Sequence, residues 1–355
     1  MNKLFSFARL AHSYFNGVSQ NLLYYFFKIE PVRYSNAVFL INTQCNSRCA
    51  MCSSYTIKPL PGEMTTEQVI DTLNKLKKHN SNIKISFVGG EPTLRPDFDL
   101  ILGHCNKLNI IFTIVTNGII LNENKAENIL LHKPFAVHVS LDSLDKDTYK
   151  KIRGVDRVES VKTNINILIQ IAKKLRSKTF IGIKTVITSE NINEISNLSD
   201  FAQSVKAGGI HYQPVLVFSE DHGSARLMPK QSEEINKQVN ILLERIKNNN
   251  KIILNSISNL KSWTKYFEGS IEKRRFCSTS MQNIFIMSDG KIKLCERYDE
   301  TIGNILNYDS IDSIIKNNNA IIHRKMMTSC QRHCSFIFSR GIKDYISLVI
   351  RHIRN

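Results

Sequence analysis

Cys45-Asn46-Ser47-Arg48-Cys49-Ala50-Met51-Cys52 follows directly on a β-rich apolar run, Ala37–Asn42. Its spacing, C-x3-C-x2-C, puts three thiols on one short loop past a strand. Soft thiolates favour iron–sulfur clusters or zinc. Three of them hold three corners of a cubane cluster and leave one iron open for a ligand. A structural zinc site wants four closed ligands, and no fourth cysteine is near, so the cluster reading leads and zinc stays as the alternative. A ligand loop at a strand's carboxyl end is where α/β folds place their sites.

Working outward, short β-rich runs alternate with helical patterns. Strands are expected at Ala37–Asn42, Ile83–Val88, Ile110–Thr116, Ala136–Leu141, Phe180–Ile187 and Ile210–Val217. Helices are expected at Thr65–His79, Pro96–Lys107, Asn122–Leu131, Lys146–Leu175 with a break near Gly154, and Asn191–Lys206. Thr65 or Thr66, before Glu67 and Gln68, reads as a helix start, and Asn122 and Asn191 read as N-caps. Strands alternating with helices imply βαβ units around a parallel sheet. The expected class is α/β: a partial (β/α)6 TIM-like barrel over residues 36–218, followed by a small α+β cluster-binding module over 277–334. Residues 219–276 read as a linker and helices, 1–35 as an N-terminal amphipathic segment and 335–355 as a C-terminal amphipathic helix.

The chain has 355 residues, 42% hydrophobic and 22% charged, with a net charge of +17. That excludes disordered and collagen-like classes. No apolar run approaches the roughly 18–20 residues that span a bilayer, and a cytoplasmic location is expected. In a reducing compartment the eight cysteines read as ligands rather than disulfides. Cys105 falls on the apolar pattern of a helix and reads as packing. Cys277, Gly290 and Cys295 form C-x12-G-x4-C around an Asp289-Gly290 hairpin turn, and Cys330 and Cys334 add a C-x3-C pair. Four thiolates equal one closed cluster, with a zinc ribbon as the alternative.

The first cysteine run resembles the signature of the radical S-adenosylmethionine (SAM) superfamily, and further pieces arrive in the family's order. Gly89-Gly90-Glu91-Pro92 ends the second strand, Thr116-Asn117-Gly118 the third and Ser140-Leu141-Asp142-Ser143 the fourth, with Arg153-Gly154 following. The family often has an aromatic residue before the third cysteine, where this chain has Met51. The resemblance implies a [4Fe-4S] cluster on Cys45, Cys49 and Cys52. It also implies SAM contacts from Gly89, Gly90, Glu91, Pro92, Thr116, Asn117, Ser140 and Arg153, with Lys184 as a candidate on the fifth strand. The later cysteines, Cys277, Cys295, Cys330 and Cys334, resemble the single-cluster form of the SPASM/twitch module, which implies a second, auxiliary [4Fe-4S] cluster.

The implied chemistry is reductive cleavage of SAM to a 5′-deoxyadenosyl radical that takes hydrogen from substrate, with the auxiliary cluster as electron acceptor. A small molecule such as a sugar, cyclitol or glycan precursor is the expected substrate, and a peptide or protein is the alternative. A reductant such as flavodoxin or ferredoxin is the implied partner. A zinc-stabilised binding protein is the reading from another class. His211, Glu220, Asp221 and His222, around the last strand, are candidates for a general base. No RNA-binding module is recognisable and the excess lysine is spread along the chain, so nucleic acid is not the expected partner. Apolar stripes at Leu4, Phe7, Ala11, Tyr14, Phe15, Val18 and Leu22, and at Ile342, Tyr345, Ile346, Val349, Ile350 and Ile353, suit either packing or peripheral membrane contact.

Overall fold

The computed structural model describes residues 19–20, 22–31, 33–52, 56, 58–216, 226–229, 232–248, 250–270 and 279–330. The amphipathic segment 335–355 and most of 1–35 therefore lie outside the described residues. Nine strands are described: β1 Asn36–Leu40, β2 Lys84–Val88, β3 Ile111–Thr116, β4 Ala136–Ser140, β5 Phe180–Ile187, β6 Gly209–Pro214, β7 Asn283–Ile286, β8 Lys291–Lys293 and β9 Gly303–Asn304. The helices are α1 Thr66–His79, α2 Phe98–Lys107, α3 Glu123–Leu131, α4 Lys146–Arg153, α5 Val158–Lys174, α6 Ile195–Ser204, α7 Ser232–Lys247, α8 Ile257–Lys261, α9 Trp263–Phe267, α10 Thr279–Gln282, α11 Ile311–Ile315 and α12 Asn318–Thr328. β1 to β6 alternate with helices, as a partial (β/α)6 barrel requires, and the class is α/β with mostly parallel strands.

The chain divides into two compact units. In the first, β2 lies between β1 and β3, all parallel, and β7 pairs parallel with the other edge of β1 (Ala37 beside Ile284, Phe39 beside Ile286). β8 and β9 continue antiparallel from β7. Alternation along the strands sorts the faces. Phe39, Phe87 and Phe112 point to the helices, where Phe87 meets Phe98 of α2 edge-on at 5.7 Å. Cys105 is buried in that same layer, and burial holds its thiol well above the ordinary range, which suits packing. The Asp289-Gly290 turn forms as expected, with Gly290 at φ +83°. Thr65 starts α1 with a full capping box, its hydroxyl accepting from Gln68 N and Gln68 Oε1 accepting from Thr65 N.

The second unit carries β4, β5 and β6, parallel and in register. Val139, Ile183 and Tyr212 are buried, with Ile165 and Leu168 of α5 and Leu198 of α6 also fully buried. The alternate positions are polar and half-buried: Ser140 pairs with Lys184, which pairs with His211. Asn122 caps α3 through Lys125 N. Asn191 does not cap a helix by its side chain. It accepts from Thr188 N and donates to the carbonyls of Asp142 and Val186, because these buried backbone groups have the stronger demand for a partner. The helical run 146–175 breaks where Gly154 takes the left-handed conformation, φ +68°, at the end of α4.

Candidate active site

Cys45, Cys49 and Cys52 stand half-buried and unbridged on the loop after β1. Backbone bonds seat this loop on the end of α4: Arg48 N donates to Arg153 O and Ala50 N to Ile152 O, both at 2.9 Å. A Cβ on Gly154 would stand 2.3 Å from Arg48 O, so glycine is required there for the loop to come this close as well as for its backbone angle. Among the described residues the cysteine thiols are not gathered with two other acidic, His or Cys groups at metal-ligand distances.

Donors converge on the sulfurs. Arg153 Nη1 lies 3.7 Å from Cys49 Sγ, Ser47 N lies 3.4 Å from Cys45 Sγ, and Asn117 Nδ2 lies 3.8 Å from Cys45 Sγ. Burial pushes the Cys49 thiol up, and the Arg153 guanidinium pulls it part of the way back. Asn117 also donates to Asn46 Oδ1 at 2.6 Å and accepts from Ile119 N, so it ties the end of β3 to the cysteine loop. Thr116 is buried and its hydroxyl accepts from Gly118 N. Three thiols on one loop, with cationic and amide donors aimed at them, suit a negatively charged iron–sulfur cluster.

Arg153 is itself buried, and its Nε lies 2.5 Å from the fully buried carboxylate of Asp142. Burial alone would lower the guanidinium's pKa, but Asp142 and Cys49 outweigh it, so the cation is held firmly. Asp142 Oδ1 accepts from Val186 N. The sequence reading quoted Asp142 but gave it no role; a buried arginine's need for a counter-ion is the signal that points to it.

In the first unit, Gly89-Gly90-Glu91-Pro92 leaves β2 against the residues following β1. Gly90 N donates to Asn42 O and Glu91 N to Gln44 O. Cβ atoms on Gly89 and Gly90 would meet Asn42 O at 2.4 Å and Gln44 O at 2.2 Å. The paired glycines thus allow two chain segments to meet. The Glu91 carboxylate is buried and accepts from Thr93 N and Oγ1, with Pro92 opening a single 3-10 turn. Asn42 Nδ2 donates to Glu91 O, a support the sequence reading did not identify.

Ser140, Lys184 and His211 share one row and one face across β4, β5 and β6. Glu220, Asp221 and His222 lie outside the described residues, as do Cys277 and Cys334. Cys295 and Cys330 are half-buried; Cys295 Sγ accepts from Arg297 N at 3.4 Å. No helix among the described residues is long and apolar enough to cross a membrane.

A family model described as the Radical SAM superfamily matches residues 39–202. The chain is 25% identical over 289 residues to a probable GTP 3′,8-cyclase of Methanosarcina mazei, covering 78% of this chain and 81% of that one. It is 31% identical over 172 residues to an S-adenosylmethionine-dependent nucleotide dehydratase of Flammeovirga pacifica, covering 46% of this chain and 56% of that protein. A mycofactocin maturase of Mycobacterium tuberculosis is 26% identical over 160 residues, 44% of this chain and 39% of the maturase. Among solved structures, anSMEcpe with bound AdoMet matches 91% of this chain and 92% of its own at a TM-score of 0.65 and 18% identity. Streptococcus suis SuiB bound to precursor peptide SuiA matches 86% of this chain and 72% of its own at a TM-score of 0.64 and 18% identity. These two likenesses concern the fold. With the matched region beginning in β1 and taking in the cysteine loop, the strand-end motifs and Arg153, residues 39–202 form a Radical SAM domain, the domain of a family of enzymes that binds SAM and a [4Fe-4S] cluster.

Proposed function

We propose that Cys45, Cys49 and Cys52 hold the catalytic [4Fe-4S] cluster and that the enzyme acts on a small polar molecule. The observation that carries the first half is the set of N–H donors aimed at Cys45 and Cys49, above all Arg153 at 3.7 Å from Cys49 Sγ. When bound, the reduced cluster supplies one electron for cleavage of SAM, which opens hydrogen abstraction from substrate. Arg153 offsets thiolate charge, Asn117 and Ser47 hold Cys45, and Gly154 lets the loop seat. The segment Gly89–Pro92, with Thr116 and Ser140, supplies SAM contacts as the resemblance implies.

The substrate reading is supported by the row Ser140, Lys184 and His211, which offers a hydroxyl, a cation and an imidazole on one strand face. Such a row suits phosphate or hydroxyl groups better than an apolar side chain. The relatives named for GTP cyclisation and nucleotide dehydration make a nucleotide the first class to test. His211 is the candidate for a proton acceptor, ahead of Glu220, Asp221 and His222. The mycofactocin maturase and the SuiB–peptide complex favour a peptide as the second reading. Cys277, Cys295, Cys330 and Cys334 are assigned to an auxiliary [4Fe-4S] cluster that accepts an electron or orients substrate, and flavodoxin or ferredoxin serves as reductant.

The test is anaerobic assay of methionine and 5′-deoxyadenosine from SAM under reduction. The wild type should form both, and the Cys45→Ala/Cys49→Ala/Cys52→Ala variant neither. SAM cleavage by that variant would overturn the cluster assignment. Nucleoside triphosphates should stimulate cleavage in the wild type and less in Lys184→Met; stimulation by peptides alone would replace the small-molecule reading.

A further inference from the structure

Three buried tyrosines show how this fold treats a phenol. Tyr34 donates to Ser280 O, Tyr212 to Ile195 O and Tyr266 to Val215 O, each at 2.7 Å. Tyr149 differs. Its side chain is fully buried, yet among the described residues its hydroxyl has no hydrogen-bond partner. A buried hydroxyl left unmet costs folding free energy that a phenylalanine of the same shape would avoid. The chain keeps the hydroxyl at a place where its own fold makes no use of it.

That place is set by α4. Tyr149, Ile152 and Arg153 fall at i, i+3 and i+4 and share the buried face of the helix, while Lys146, Lys150 and Lys151 stand exposed. The end of this helix is the seat of the cysteine loop: Arg153 O and Ile152 O accept from Arg48 N and Ala50 N, and Arg153 Nη1 reaches Cys49 Sγ at 3.7 Å. Tyr149 lies one turn before Arg153. Burial pushes its phenol up to about 12, and the charged groups near enough to act on it are Arg153, Asp142 and Cys49. Of these, the guanidinium has only donors to offer. The Asp142 carboxylate is already engaged, Oδ1 by Val186 N and Oδ2 by Arg153 Nε. The sulfur of Cys49 is the remaining acceptor.

We propose that Tyr149 is a hydrogen-bond donor held for the bound [4Fe-4S] cluster, its hydroxyl serving the anionic sulfur at the Cys49 corner; this rests on the assignment of that cluster to Cys45, Cys49 and Cys52. The donors already described reach Cys45 and Cys49 from a backbone amide, a side-chain amide and a guanidinium. Tyr149 adds a neutral donor that gains its partner only with the cluster in place. A hydrogen bond to a cluster sulfur withdraws negative charge, so it favours the more negative, reduced state and raises the reduction potential. Tyr149 thus sets how readily the cluster takes up the electron, with the proton remaining on the phenol throughout.

The experiment compares the full-length wild type with Tyr149→Phe, which keeps the ring and removes only the hydroxyl. Both are reconstituted anaerobically. The catalytic cluster is followed by the reduced-state electron paramagnetic resonance signal that the Cys45→Ala/Cys49→Ala/Cys52→Ala variant lacks. At one fixed potential the ratio of reduced to oxidised cluster should be about tenfold lower in Tyr149→Phe, which for a one-electron couple is a midpoint lower by about 59 mV. The cluster-free variant should melt no lower than the cluster-free wild type, because the hydroxyl lost there had no partner. An unchanged midpoint potential overturns the inference. So does a lower melting temperature of the cluster-free variant, because the hydroxyl would then serve the fold itself, with Asp142 as its acceptor. Failure of the cluster assignment shows differently, as a signal that survives replacement of the three cysteines, and it removes the inference as well.

Discussion

The guanidinium of Arg153 joins two groups of opposite demands: Nε sits 2.5 Å from the Asp142 carboxylate, and Nη1 sits 3.7 Å from Cys49 Sγ. The acid fixes the cation in a buried position, and the cation is thereby available to a sulfur that burial alone would keep protonated. The support for the cysteine loop thus begins at the end of β4.

Asp142→Asn should destabilise the protein by about 3–5 kcal/mol, because it leaves Arg153 buried without its counter-ion. Arg153→Gln in the same background should recover part of that loss. Urea melts of both single variants and the double variant measure the coupling, and strictly additive losses would show that the pair does not act as a unit.

Gly154→Ala should lift the cysteine loop while leaving the helices and strands intact. The added Cβ overlaps Arg48 O, and the left-handed backbone adds strain of about 1–3 kcal/mol. The expected readout is faster tryptic cleavage after Arg48 and lower iron retention after anaerobic reconstitution, with unchanged far-ultraviolet circular dichroism. Slow cleavage equal to the wild type would mean that the loop tolerates the side chain.

His79 gives the fold a defined acid sensitivity. Its Nε2 accepts from Tyr34 N at 2.9 Å and its Nδ1 lies 3.2 Å from Asp312, so the ring is neutral with the proton on Nδ1. Burial lowers its pKa despite the pull of Asp312. The folded state therefore binds a proton less readily than the unfolded chain. The stabilisation is present above about pH 6.5 and is lost as pH falls through the lower, folded value. The urea midpoint should drop between about pH 7 and pH 5 in the wild type and drop less in His79→Gln.

Lys84 carries an opposite kind of cost. Burial pushes its ammonium down to about 8, and no counter-ion contributes. Lys84→Met should stabilise the protein at neutral pH by about 1–2 kcal/mol. Because the folded pKa lies below the unfolded one, wild-type stability should rise as pH goes from about 8 to 10. The variant should lack that rise, and a pH series of thermal melts compares the two.

Most of the barrel elements were legible because each is specified locally. β5 runs over Phe180–Ile187 as its β-branched pattern predicts, and the capping residues Thr65 and Asn122 mark α1 and α3 by direct side-chain bonds. Asn191 was misread because the same side chain that caps helices also satisfies buried carbonyls, and sequence does not say which is nearer. The cysteine loop announced itself by spacing, whereas its supports did not. Asn42 and Asp142 act on partners 49 and 11 positions away, Glu91 and Arg153, and nothing in the local pattern pairs them. The resemblance implies SAM contacts from Gly89 and Gly90, whereas the directions their Cβ atoms would take are filled by Asn42 and Gln44.

The pairing of β7 with β1 has a consequence for how the chain is made. β1 leaves the ribosome long before the strand that covers its free edge, Asn283–Ile286. Until that strand is made, the edge presents unpaired backbone groups beside Ala37 and Phe39, a template for pairing with another chain. Early folding intermediates are thus the aggregation-prone species. A chain cut in the linker after β6 would keep them permanently: the first unit is completed by residues that the barrel boundary would leave out.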